Sequence, residues 1–206
     1  LMDGITPTSI NMPPIRVTKI LTPKKMYSIR PGVYVYDFGQ NFTGWVKISI
    51  SGPRGTQVKL RYSELINKDG SLKTATIRKA EATDTYILKG DGKETYEPRF
   101  TYHGFRYVEV TGLPFVPTIE NIEGCFVHTD VAKTGEFYCS NELINKIHEN
   151  ILWGQLSNLH SIPTDCPQRD ERFGWMGDAH LSAEEAMYNF DMNLFYENYL
   201  REIQLS

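Results

Sequence analysis

The hydrophobic period of this chain changes near residue 130, and that change restricts the fold more than any other feature. Before it, apolar residues alternate over short runs separated by Gly, Pro and Asp turns. After it, they recur every three or four positions. Period two belongs to strands and period 3.6 to helices, so the two halves must be built differently. Residues 1–130 are expected to form a β-sandwich domain, and residues 131–206 a set of helices.

In the first half, Val46, Ile48 and Ile50 alternate with Trp45, Lys47 and Ser49, and Val58, Leu60 and Tyr62 share one face. Further strand patterns cover Arg16–Leu21, Val33–Tyr36, Thr83–Leu88, Phe105–Thr111 and Ile122–His128. Asp37–Asn41, Gly52–Gly55 and Asn67–Gly70 read as turns between them. Seven or eight strands at this spacing predict an antiparallel, all-β sandwich. Its many rings (Tyr34, Tyr36, Phe38, Phe42, Trp45, Phe100, Tyr102, Phe105 and Tyr107) fit either a packed core or a sugar-stacking face. His103 and Arg106 suit a cleft edge or simple packing. Arg78 lies in the charged, aperiodic stretch TATIRKAEATD, which reads as a solvated loop, and is a candidate by that position alone.

In the second half, Ser140 is placed to cap a helix carrying Leu143, Ile144, Ile147, Ile151 and Leu152, continued by Leu156 and Leu159 and ended by Pro163. A second helix is expected from near Ala179 and a third after Asp191, with Leu194, Phe195, Tyr199, Leu200 and Ile203 on its apolar face. Three helices with such wide apolar faces call for partners beyond these residues.

Between the first two helices lies TDCPQRDERFGWMGDAH, Thr164–His180. It holds Asp165, Asp170, Glu171, Asp178, Arg169, Arg172, Cys166, Trp175 and His180, with no apolar period. Packing does not call for such a mixture, because charged side chains are rarely buried unless paired. Four chemistries fit. Glycosidic hydrolysis needs a carboxylic acid to protonate the leaving oxygen, and Glu171 beside the apolar wall of Trp175 suits that work. Asp165, Arg169 and Asp178 can grip sugar hydroxyls. The same groups could form a structural ion-pair network, above all Asp170 and Arg172. A metal site would draw on His160, Asp165, Asp178 and His180, though no short ligand spacing supports it. A Cys166 nucleophile paired with His160 or His180 lacks an oxyanion motif and is followed by Pro167.

Composition excludes little more. The net charge of −3 gives no basic footprint for nucleic acid, and no apolar run is long enough to span a bilayer. The opening Leu1–Gly4 lacks the basic start and apolar centre of a signal peptide. Cys125, Cys139 and Cys166 form neither a disulfide framework nor a zinc spacing, and Cys125 and Cys139 read as buried free thiols. No cofactor is implied, and oligomeric state is not legible.

The stretch Asp165–Asp178, DCPQRDERFGWMGD, closely resembles the signature DCPQRDERLGWTGD of bacterial α-L-rhamnosidases, glycoside hydrolase family 78. Phe173 and Met176 are the departures, both at variable, non-catalytic positions. The stretches Val35–Asn41 with Gly44-Trp45, and Tyr102–Tyr107, resemble the family's sandwich. The resemblance implies a sandwich followed by the first helices of an incomplete (α/α)6 barrel, and a rhamnose-containing glycoside or polysaccharide as substrate, without nucleic acid or membrane. It implies Glu171 as general acid, Asp165, Arg169 and Asp178 on the sugar, and Trp175 as its aromatic wall. The family is inverting, with its base a glutamate far downstream, so these residues alone are expected to be inactive. Action in the periplasm or outside the cell is implied too. Alternatives are a non-catalytic carbohydrate-binding or structural sandwich module, or an (α/α)6 glycosidase of other sugar specificity.

Overall fold

The computed structural model describes residues 9–205, so Leu1–Gly4 lies outside it. Eight antiparallel strands come first: β1 (Ile15–Leu21), β2 (Lys25–Arg30), β3 (Val33–Ser51), β4 (Gln57–Ser63), β5 (Thr83–Ile87), β6 (Lys93–Tyr96), β7 (His103–Thr111) and β8 (Ile122–Thr129). β3 organises them. Its first half pairs with β2 and β7, the latter leading on to β4 and β5, while its second half pairs with β8 and β6, and β8 with β1. One long strand thus runs through both layers of the sandwich.

Two expectations are corrected by β3. The runs Val33–Tyr36 and Trp45–Ile50 are one strand, and Asp37–Asn41 is a bulge within it rather than a chain reversal. Asp37 faces Tyr107 and Phe42 faces Phe105, so Phe38, Gly39, Gln40 and Asn41 stand opposite Arg106 alone. The turn-forming residues do turn locally: Gly39 has φ +73 and donates its N–H to Asp37 Oδ1 at 2.7 Å. Pairing with β7 resumes on both sides, so the turn becomes a bulge that bends the strand. Arg106 locks it with bonds of 2.7 and 2.9 Å to the two Asp37 oxygens. This holds the Asp37 carboxyl below its ordinary value. At Gly44 the strand passes from β7 to β8, and a Cβ there would lie 1.9 Å from the Cys125 carbonyl oxygen.

The alternating apolar residues do form the core, which gathers Val46, Ile48, Ile50, Val58, Leu60 and Tyr62 with Tyr36, Phe38, Phe42, Phe105 and Phe126. Phe38 meets Phe42 edge-on at 5.5 Å, and Phe42 meets Phe105 at 4.5 Å. Most of the rings in this half are therefore packing residues and not a sugar-stacking face. His103 is buried as well, stacked on Tyr62 at 4.1 Å with Nε2 3.1 Å from Asp84 Oδ2. The sequence does not mark β2 and β6; each pairs with β3 alone, and neither carries a clean alternating apolar run.

Three helices follow: α1 (Glu142–Ser157), α2 (Met176–Asn189) and α3 (Asn193–Leu205). Asn141, not Ser140, caps α1, its Oδ1 accepting from the Leu143 and Ile144 N–H groups at 2.9 and 3.4 Å. α1 stops at Ser157, and Leu159 is buried in a two-residue strand that pairs with Ile162–Pro163. α2 begins three residues before Ala179. Asp191 Oδ1 accepts from the Asn193 N–H at the start of α3. Cys125 is buried as expected, but Cys139 is only half-buried.

The apolar stripe of α1 is divided: Leu143 is 68% exposed and Ile144, Ile147 and Ile151 are also exposed, whereas Leu152 and Leu156 pack on the buried cores. Its C-terminal half seats the helix on the sandwich, where Leu156 joins the core, Trp153 meets Phe126 at 4.8 Å and Thr43 Oγ1 donates to the Ser157 carbonyl at 2.7 Å. No described helix is long and apolar enough to cross a membrane.

Candidate active site

The segment between the short strand Ile162–Pro163 and α2 is an irregular loop laid over the start of β7. Gly104 is where they touch: a Cβ there would meet Pro167 Cγ at 2.8 Å and the Gln168 backbone nitrogen at 3.0 Å. Arg172 fastens the loop. Its Nη1 donates to the Tyr102 carbonyl at 2.8 Å and its Nε to the Arg169 carbonyl at 3.1 Å, while the guanidinium carbon lies 4.5 Å from the Tyr102 ring centre. Arg172 adopts φ 60, an uncommon conformation for a side-chain-bearing residue. Tyr102 stacks in turn on buried His160 at 4.0 Å. Arg172 is thus structural, but through carbonyl and ring contacts rather than the ion pair that the charge pattern suggested, and Asp170 is exposed.

The fastened loop presents a compact charged cluster. Asp165, with its side chain only 5% exposed, accepts the Phe173 N–H on Oδ1 at 2.8 Å and Arg169 Nη2 on Oδ2 at 3.2 Å. Burial pushes its carboxyl up, but the Cys166 thiol, the Phe173 N–H and Arg169 outweigh burial and hold it below the ordinary value. Arg169 also reaches Glu171 Oε2, with Nη2 at 2.8 Å and Nε at 3.1 Å. Arg78, from the loop between β4 and β5, donates to the same oxygen at 3.0 Å. The Trp175 indole N–H donates to Oε1 at 3.0 Å. Glu171 is therefore ringed by donors: one oxygen held by two guanidiniums, the other by an indole N–H.

This revises one expectation. Trp175 offers Glu171 its N–H rather than an apolar wall, and its ring is 51% exposed beside Phe173. Asp178, in the first turn of α2, is exposed. With Asp165 it lines a cleft of about 360 Å³ between α1 and α2, bordered by Gln155, Asn158 and Ser182. Asp165, Arg169, Glu171 and Trp175 thus form one bonded cluster, and Asp178 joins it through the cleft wall it shares with Asp165.

The other chemistries fare less well. His160 is buried behind Tyr102, and burial pulls its ring down to about 3. His180 is exposed, and among the described residues His160, Asp165, Asp178 and His180 are not brought together. Asp165, Cys166 and Glu171 do bring ligand atoms within 4.8 Å of one another, but Arg169 already bridges the two carboxylates as their countercharge. Burial, with Asp165 accepting the S–H, pushes the Cys166 thiol up and away from the thiolate a nucleophile needs.

Two residues beside the cluster carried little or no sequence signal. Arg78 is 93 positions from Glu171, and the sequence shows it only as a loop cation. Glu64, just after β4, accepts from Asn41 at 2.8 Å; burial raises its carboxyl, and the charge of Arg169 partly offsets the rise.

Residues 27–128 match the bacterial alpha-L-rhamnosidase concanavalin-like domain, and residues 132–206 the bacterial alpha-L-rhamnosidase six-hairpin glycosidase domain. An alpha-L-rhamnosidase of Streptomyces avermitilis is 48% identical over 191 residues, covering 93% of this chain and 18% of that protein. The solved α-L-rhamnosidase of Dictyoglumus thermophilum superposes with a TM-score of 0.94 at 64% identity, covering 95% of this chain and 22% of that one. The Streptomyces avermitilis enzyme, solved with L-rhamnose, gives 0.92 at 47% identity, covering 95% of this chain and 19% of that one. The chain therefore spans about a fifth of the length of the relatives it matches. With both of its halves matching the family's two domains and over nine-tenths of its length covered by these proteins, the chain belongs to the bacterial α-L-rhamnosidases of glycoside hydrolase family 78.

Proposed function

We propose that the full-length protein carrying this sequence hydrolyses terminal α-L-rhamnosides with inversion, and that Glu171 protonates the departing oxygen. The observation that carries this is the asymmetric hold on the Glu171 carboxyl. Oε2 is anchored by Arg169 and Arg78, whereas Oε1 meets only the N–H of the half-exposed Trp175. A proton is better accommodated on the oxygen facing fewer cations, so Oε1 is the atom that hands its hydrogen to the leaving group once Trp175 gives way to substrate. Asp165 and Arg169 are fixed well enough to orient sugar hydroxyls, Asp178 lines the adjoining cleft, and the free Trp175 ring suits a pyranose face.

Inversion also needs a carboxylate that activates water across the ring, at about 6.5–9.5 Å from the acid. Asp165 is unsuited to that, because its carboxylate oxygen lies within 4.8 Å of one on Glu171 and is bound to Arg169. The base is supplied from elsewhere in the protein, and residues 1–206 alone are expected to turn over little. A purely carbohydrate-binding sandwich is disfavoured, since most of the rings that would stack on sugar are in the core. The test is proton NMR of the full-length protein acting on p-nitrophenyl α-L-rhamnoside. Rhamnose appearing first as the β anomer supports the proposal; the α anomer first, or no rhamnose, refutes it.

A further inference from the structure

We infer that Arg78, contributed by the β-sandwich, is a positioning residue for Glu171, which makes the sandwich part of the active site. This rests on Glu171 being the acid. One observation is the bond itself, Arg78 Nη1 to Glu171 Oε2 at 3.0 Å, the sandwich's direct hydrogen bond to that carboxyl. The other is backbone conformation. Arg78 ends the short 3₁₀ turn Thr74–Ile77 with φ 53 and ψ −116, a combination that glycine takes readily and other residues resist.

Local structure gives no reason for an arginine there. Buried Ile77 anchors the turn, and a glycine at position 78 would meet the backbone requirement without strain. The guanidinium does not compensate as a stabilising ion pair, since its side chain is 56% exposed and such pairs contribute little to folding. Strain maintained without a stabilising offset, in a side chain aimed at a candidate acid, points to use rather than architecture. That use is orientation: Arg78 from the sandwich and Arg169 from the loop together fix Oε2 and leave Oε1 for the proton.

The groups facing Glu171 are Arg169 and Arg78 at Oε2, Trp175 at Oε1, and Asp165 with Cys166 within 4.8 Å. Glu64, at the end of β4, acts on Arg169 from the sandwich side. Losing Arg78 leaves Arg169 as the remaining guanidinium on Oε2.

The test compares Arg78→Gly, Arg78→Lys and Glu171→Gln in the full-length protein, through thermal melting and kcat/KM on two aryl α-L-rhamnosides, one releasing a basic phenol and one releasing 2,4-dinitrophenol. Arg78→Gly is expected to melt at or above the unmodified temperature and to lose about 5-fold in kcat/KM on the basic phenol, with less loss on the dinitrophenyl substrate, whose leaving group needs little protonation. Arg78→Lys keeps the charge and is expected to recover part of that loss. An Arg78→Gly protein with unmodified rates on both substrates, or with equal losses on both, overturns the inference. If Glu171→Gln shows the selective loss while Arg78→Gly behaves as unmodified, only the role of Arg78 has failed. If Glu171→Gln retains full rate, the acid assignment itself has failed.

Discussion

Arg172 is where sandwich and loop are tied together, and Arg172→Ala tests how much of the site depends on that tie. The substitution removes bonds of 2.8 Å to the Tyr102 carbonyl and 3.1 Å to the Arg169 carbonyl, and a guanidinium 4.5 Å from the Tyr102 ring centre. Charge-assisted bonds of this kind contribute about 1.5–3 kcal/mol each when well shielded, and a partly exposed cation–π contact about 0.5–1 kcal/mol. Because Arg172 is only half-buried, a total of about 2–3 kcal/mol is expected. With the urea dependence usual for a chain of this size, the midpoint should fall by about 1 M. Urea denaturation of the chain followed by tryptophan fluorescence gives that number. Arg172→Gly supplies the internal control. It loses the same contacts but relaxes φ 60, so its midpoint should fall less than that of the alanine variant. An unchanged midpoint in Arg172→Ala, or a larger fall in Arg172→Gly, would refute the reasoning that these contacts secure a strained loop.

Gly44→Ala should be among the most damaging single changes, at about 4 kcal/mol or more, because its Cβ would meet the Cys125 carbonyl where β3 changes partner; thermal melting checks this. Asp37 gives an acid-limb prediction. Its carboxyl is depressed by Arg106, so the bridge contributes fully above the unfolded value of about 3.9 and is lost as pH falls through the lower folded value. Melting temperatures between neutral and strongly acid pH should show that loss, and Asp37→Asn should reduce it. Thiol labelling under native conditions should reach Cys139 first. Cys125, pushed up to about 12 by burial, and buried Cys166 should react only on unfolding, and immediate reaction of all three would contradict their placement.

What the sequence revealed, and what it hid, follows from the range of the forces. Val46, Ile48 and Ile50 declare a buried face by alternation alone, and Val58, Leu60 and Tyr62 do the same, because strand geometry fixes side-chain direction locally. The loop Asp165–Asp178 stood out because no packing rule explains its composition. The continuity of β3 was hidden, since Asp37–Asn41 does turn, and only resumed pairing with β7 on both flanks makes the turn a bulge. The edge strands β2 and β6 bury one face poorly and so lack a clear period. In α1 the periodic stripe marks an amphipathic helix correctly, yet its first two turns face outward while Leu152 and Leu156 pack inward beside Trp153. Period says that a helix has an apolar face, not which neighbour covers it. Arg78 was the hardest case, because a contact across 93 positions leaves no local trace.

The proton attributed to Glu171 can be measured most directly by varying how much help the leaving group needs. Full-length protein and its Glu171→Gln variant would be compared on two aryl α-L-rhamnosides, one releasing a basic phenol and one releasing 2,4-dinitrophenol. If Glu171 protonates the departing oxygen, the variant loses about 100- to 10,000-fold on the basic phenol and far less on the dinitrophenyl substrate. Equal losses on both substrates, or no loss on the first, would contradict the assignment of Glu171 as the acid.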